Sequence, residues 1–97
     1  MRYKINSKFI VQNAGDQIIV YDSEKSLLYT LNSTASYILK GLKKMWTEDK
    51  VADELSGKFH IDKITASEDT KFCITDLLNR NILKPINTER RKEKPSG

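Results

Sequence analysis

The sequence predicts an α+β domain in which a three-stranded antiparallel sheet is followed by three helices. Three observations predict it. The first third carries three short runs rich in β-branched, aromatic and other apolar residues, separated by turn-forming clusters at a spacing of about ten residues. From Asn32 onward the apolar period lengthens from two to 3.6. The whole chain has 97 residues, 38% hydrophobic and 31% charged, which suits one small core under a wet surface.

The first strand is expected over Ser7–Gln12, where Phe9, Ile10 and Val11 supply β-forming side chains. Asn13-Ala14-Gly15-Asp16 then carries turn chemistry into a second strand, Gln17–Asp22. Polar residues from Asp22 to Ser26 turn the chain again into a third strand, Leu27–Leu31. Short turns between short strands make a meander, which must bury one face to be stable. Asn32, Ser33 and Thr34 offer N-cap side chains for the first helix, whose Ala35, Ile38, Leu39 and Leu42 share a face. Lys40, Lys43 and Lys44 point toward water, and Gly41 costs that helix about 1 kcal/mol relative to Ala. Thr47 caps the second helix, with Glu48 and Asp49 in its first turn and Val51, Ala52, Leu55 and Phe59 as its buried stripe. Trp46, in the turn before it, is expected to cap the core. Ser67 is expected to cap the third helix, with Thr70, Cys73, Ile74, Leu77 and Leu78 inward and Asn81 as a left-handed C-cap. Ile82 and Leu83 return to cover the core. The order of elements is winged helix-turn-helix-like, with the sheet placed first. Residues 1–84 form the domain. Residues 85–97 read as a flexible basic tail, holding four bases and two acids and almost nothing apolar.

Composition excludes several kinds of chemistry. One histidine, His60, rules out a His-rich metal site, and one cysteine, Cys73, rules out an internal disulfide. The chain has no Gly-rich phosphate loop, no CxxC and no Ser-His-Asp set, so no catalytic residue, metal or cofactor is expected. No apolar run approaches the roughly 18 residues that would span a bilayer. With no signal-peptide h-region either, a cytoplasmic protein that leaves membranes alone is expected. The formal net charge of +4 permits nucleic acid or an acidic partner without demanding either. Half of it comes from the tail.

The ordered set Tyr29-x-Leu31-Asn32-x-x-Ala35-x-x-Ile38-Leu39 resembles the signature of the PqqD-like family, the RiPP recognition elements. Val51-Ala52-x-x-Leu55 matches downstream, as does Asp69-Thr70-x-x-Cys73-Ile74-x-x-Leu77-x-x-x-Asn81-Ile82, so the resemblance covers about residues 7 to 84. Two positions depart from the family pattern: Thr70 replaces a larger aliphatic residue and Asn81 replaces glycine. The resemblance implies a function without catalysis. Family members bind the leader segment of a ribosomally made precursor peptide and deliver it to a modifying enzyme. For a discrete chain the implied enzyme is a lasso-peptide leader peptidase first, a radical-SAM enzyme next.

The resemblance also implies a site. The leader adds as a strand to the third strand, here Leu27, Leu28, Tyr29, Thr30 and Leu31, in the groove against the third helix. Helical spacing puts Asp69, Cys73, Asp76 and Arg80 on one flank of that helix and Lys71, Ile74 and Leu78 on the other. Spacing alone leaves the choice open, and the resemblance favours the first flank, with Leu77 beside it. Apolar leader residues are then expected beside Leu28 and Cys73, with Asp76 and Arg80 reading charge at the rim. An unoccupied edge strand leaves a monomer or a weak homodimer as the expected state.

The competing class is a winged-helix DNA binder, whose third helix would enter the major groove. Between Ser67 and Asn81, however, Glu68, Asp69 and Asp76 outnumber Lys71 and Arg80. Net negative charge on a recognition helix opposes phosphate, so no nucleic-acid partner is expected.

Overall fold

The computed structural model describes residues 2–86. Eight elements follow in order: β1 (Arg2–Ile5), β2 (Phe9–Ala14), β3 (Gln17–Asp22), β4 (Leu27–Leu31), α1 (Ser33–Lys43), α2 (Glu48–Phe59), α3 (Lys63–Asn79) and β5 (Leu83–Ile86). The predicted meander is present as the antiparallel sheet β2-β3-β4, and the three helices follow it in the predicted order.

Alternation explains which way the sheet faces. Ile18 and Val20 of β3 are fully buried and pair with Leu31 and Tyr29 of β4, so these four form the inner face against the helices. Ile10, Tyr21 and Leu28 lie opposite one another across the three strands and form a row on the outer face. The turn between β3 and β4 is held by Asp22, 2% exposed, whose Oδ1 accepts from the backbone N–H groups of Glu24 (3.0 Å) and Lys25 (3.3 Å).

The caps on the first two helices sit where the sequence places them. Asn32 Oδ1 accepts from Ala35 N at 2.8 Å, and Thr47 Oγ1 accepts from Lys50 N at 3.2 Å. Gly41 is explained by close approach. A Cβ there would lie 2.6 Å from Trp46 Cε3, so the glycine admits the indole against α1. Arg2 Nε donates to Met45 O at 2.8 Å and pins the same turn, where Met45 takes a left-handed φ of 69°.

Four expectations are corrected. The helix expected from Ser67 begins one turn earlier at Lys63, because Asp62 Oδ1 accepts from Thr65 N at 2.7 Å and Ala66 is fully buried. The first meander strand runs over Phe9–Ala14, so Asn13 and Ala14 belong to it rather than to the turn. A second sheet, β1 paired antiparallel with β5, joins the two ends of the described chain, and no strand was expected at either end. Pro85 and Ile86 therefore belong to a strand that pairs with Tyr3 and Arg2. The remainder of the expected tail, residues 87–97, lies outside the described residues.

The two departures from the family pattern are both accommodated. Thr70 is fully buried with its Oγ1 donating to Ala66 O at 2.8 Å, so its hydroxyl is satisfied within the helix. Asn81 takes the expected left-handed conformation with φ of 64°.

Candidate functional site

β4 is an edge strand. It pairs with β3 on one side, and its other edge opens onto a groove bounded by α1 and α3. Ser36 fixes the strand to the first helix. Fully buried, its Oγ accepts from Ile18 N at 2.8 Å and donates to Leu31 O at 3.1 Å, tying β3, the end of β4 and α1 together. The edge is thus presented at a set distance from the helices.

The groove has two connected parts. One, of about 410 Å³, is lined by Leu28, Tyr29, Thr30, Leu31 and Arg80. The other, of about 360 Å³, is lined by Thr34, Ile38, Asp69, Phe72 and Cys73. Asn32, Ala35 and Asp76 line both and join them. The helix-three flank that lines the groove is therefore Asp69, Cys73, Asp76 and Arg80.

Charge within the groove is partly internal. Arg80 Nε donates to Asp76 Oδ2 at 3.1 Å, and the guanidinium carbon lies 5.2 Å from the centroid of the Tyr29 ring. One side chain so bridges α3 and β4. Asp69 forms no ion pair among the described residues. Cys73 is a poor nucleophile here: burial first, then the charges of Asp76 and Asp69, push its thiol up to about 12. It packs as a small apolar residue.

Eight of the ten expected site residues line the groove, and Leu27 and Leu77 do not. Leu77 is 1% exposed and lies in the core, beneath the groove, because α3 turns it toward the other helices. Leu28 and Cys73 line different parts of the groove. Strand alternation sends the Leu28 side chain to the outer sheet face, where it is 65% exposed, while Tyr29 and Leu31 pack inward. Leu27 is exposed at the start of the strand.

Several lining residues were not anticipated. Phe72, 77% exposed, lies off the core stripe of α3 and is the bulky apolar group of the cavity. A phenylalanine out of phase with the buried positions was the available signal. Asn32, Thr34, Ala35 and Ile38 belong to the site because α1 starts directly after β4, so a groove along that strand must pass its first turn.

Among the described residues, no group of three or more His, Cys, Asp and Glu side chains is placed to hold a metal ion, and no helix is long and apolar enough to cross a membrane.

The family model of Coenzyme PQQ synthesis protein D (PqqD) matches residues 17–83. The chain belongs to the PqqD family. Two solved structures resemble this PqqD-family fold. One is described as TbiB1 in complex with the TbiA(beta) leader peptide, with a TM-score of 0.77 and 17% identity over 87% of this chain and 98% of that one. The other is described as lasso peptide synthetase B1 complexed with the leader peptide, with a TM-score of 0.80 and 19% identity over 88% of this chain and all of that one. Among curated protein sequences, none matches the chain. The matched family region contains β3, β4 and all three helices, and so every residue that lines the groove.

Proposed function

We propose that this chain binds the leader segment of a ribosomally synthesised precursor peptide and delivers it to a maturation enzyme. The observation that carries this reading is the free edge of β4 facing α3 across a groove deep enough for side chains. An extended peptide added to that edge gains backbone hydrogen bonds independent of its sequence, and its alternate side chains are read by the groove. At about 3.4 Å per residue, β4 offers some five residues of pairing. Residues of the peptide that point inward meet Phe72, Cys73 and Asp69, and those that point outward extend the row ending at Leu28. Asp76 and Arg80 sit where the peptide's charges pass. The work asked of these groups is binding, so the chain serves as an accessory, cytoplasmic peptide carrier rather than an enzyme.

A lasso leader peptidase is the favoured recipient, ahead of a radical-SAM enzyme. Support comes from the two similar structures, both of them complexes with a leader peptide and one of them a lasso peptide synthetase B1. The test is a titration of the fluorescently labelled leader of the neighbouring precursor gene against the wild type, Leu28→Asp and Arg80→Glu. Each substitution is expected to weaken binding about tenfold, equivalent to about 1.4 kcal/mol. Unchanged affinity in both variants would overturn the placement.

A further inference from the structure

Helix α1 has a second working flank. Thr34, Ala35 and Ile38 line the groove, whereas Ser33, Tyr37 and Lys40 project to another side and line a separate cavity of about 310 Å³ with Asp16, Lys58 and Phe59. Two of its lining residues, Tyr37 and Phe59, are aromatic. Tyr37 meets Phe59 edge-on at 5.9 Å between centroids and meets Trp46 edge-on at 6.3 Å, so the three rings form a continuous ridge across α1 and α2. Lysines crowd that ridge. Lys58 lies 5.8 Å from the Tyr37 ring centroid, and Lys44 and Lys50 lie 5.3 and 5.1 Å from that of Trp46.

The charges on this face are unbalanced. Lys50 is paired with Glu54 at 3.9 Å, and Asp16 accepts a hydrogen bond from Ser33 Oγ at 2.8 Å. Lys40, Lys44 and Lys58 have no acidic partner among the described residues. Ammonium groups held over rings keep one side away from water and retain a demand for an anion on the other. We propose that this basic aromatic face docks an acidic protein surface, a carboxylate side chain next to an apolar one, belonging to the maturation enzyme. The proposal rests on the leader-carrier reading for the identity of that partner. Charge complementarity at Lys40 and Lys58 and the aromatic wall that Tyr37 and Phe59 give the cavity beside them select the occupant. Nucleic acid fits less well, since lysines already cover the faces of Tyr37 and Trp46 on which bases would stack.

The arrangement gives α1 a role as a partition. Leader peptide occupies one flank and the enzyme the other, so both are bound at once and the leader is handed over without first being released.

The experiment uses the full chain, the leader peptidase of the same pathway and the labelled leader. Wild type and the double variant Lys40→Glu, Lys58→Glu are compared for peptidase binding by biolayer interferometry and for leader binding by fluorescence polarisation. The expected result is at least about a tenfold loss of peptidase affinity, with leader affinity within about twofold of wild type. Wild-type binding to the peptidase should also weaken as salt rises, and the variant's residual binding should do so less. Equal peptidase affinity in the two proteins overturns the proposal, as does a wild type that binds leader but no peptidase. Lysine-dependent binding of a DNA duplex in place of the peptidase also overturns it. Failure of the wild type to bind leader is a separate result, which strikes the carrier reading instead.

Discussion

Cys73 shows how a residue can line an open groove and still be chemically quiet. Its thiol lines the groove together with Phe72 and Ile38, but burial and two neighbouring carboxylates push it up to about 12. At neutral pH it is protonated, and an anionic thiolate there would face Asp69 and Asp76 across a poorly solvated gap. Alkylation by iodoacetamide follows the thiolate, so in the folded protein the rate is expected to rise about tenfold per pH unit from pH 8 to beyond 10. An ordinary thiol, with a pKa of about 8.5, levels off by about pH 9.5. A plateau at or below that pH would show that the groove does not shield Cys73. The same shift has a consequence for stability with a definite sign. Its folded pKa is the raised one, so the contribution is complete below about pH 8.5 and is lost as pH rises toward 12. Alkaline unfolding should therefore begin earlier in the wild type than in Cys73→Val.

At the scale of elements, the decisive feature is which strand edge is open and what lies beside it. β2 and β4 are the two edges of the three-stranded sheet, and β4 is the one whose edge opens onto the groove beside α3. Strand addition protects the amides that point outward from an antiparallel edge, every second one along the strand. Hydrogen exchange is thus expected to slow about tenfold or more at two or three amides between Leu27 and Leu31 when leader is added, with no change in Phe9–Ala14. Protection of β2 instead would move the site to the opposite edge. The meander and the caps at Asn32 and Thr47 were legible in the sequence because β-forming runs, turn clusters and capping residues are local signals. The start of α3 was not, since Ser67 with two acids after it looks like a cap, whereas Asp62 is the residue that caps the helix and Ala66 in its first turn is wholly buried. Within the site, the spacing of Asp69, Cys73, Asp76 and Arg80 was legible as one helical flank. Phe72 was not, because apolar periodicity finds residues facing the core and passes over one facing an open groove. Leu77 failed for the converse reason: proximity to that flank says little when a turn of 100° per residue separates groove from core.

At the scale of the whole molecule, the chain is closed by a pairing that the helix-and-meander pattern does not contain. β1 and β5 meet with Tyr3 opposite Pro85 and Ile5 opposite Leu83, and Asn6 adds hydrogen bonds to Ile82 O at 2.8 Å and Asn81 O at 3.0 Å. Partners so distant in sequence share no local turn, which is why four-residue strands there escape a reading based on periodicity. The family model spans residues 17–83, so β1 and nearly all of β5 lie beyond it. This closure is structural. Tyr3 is 9% exposed in the core cluster, and burial, then the charge of Glu48, raise its phenol above the ordinary value. The groove, by contrast, draws on β4, α1 and α3 and on no residue of β1. Removing the Tyr3 ring should therefore separate stability from binding. Tyr3→Ala is expected to cost about 3 kcal/mol in urea unfolding, a large part of the roughly 5–15 kcal/mol that holds a domain of this size. Leader affinity, measured at low temperature where the variant is folded, should stay within about twofold of wild type. A parallel loss of affinity would mean that β1 and β5 set the spacing between β4 and α3, and that the closure belongs to the binding site as well as to the fold.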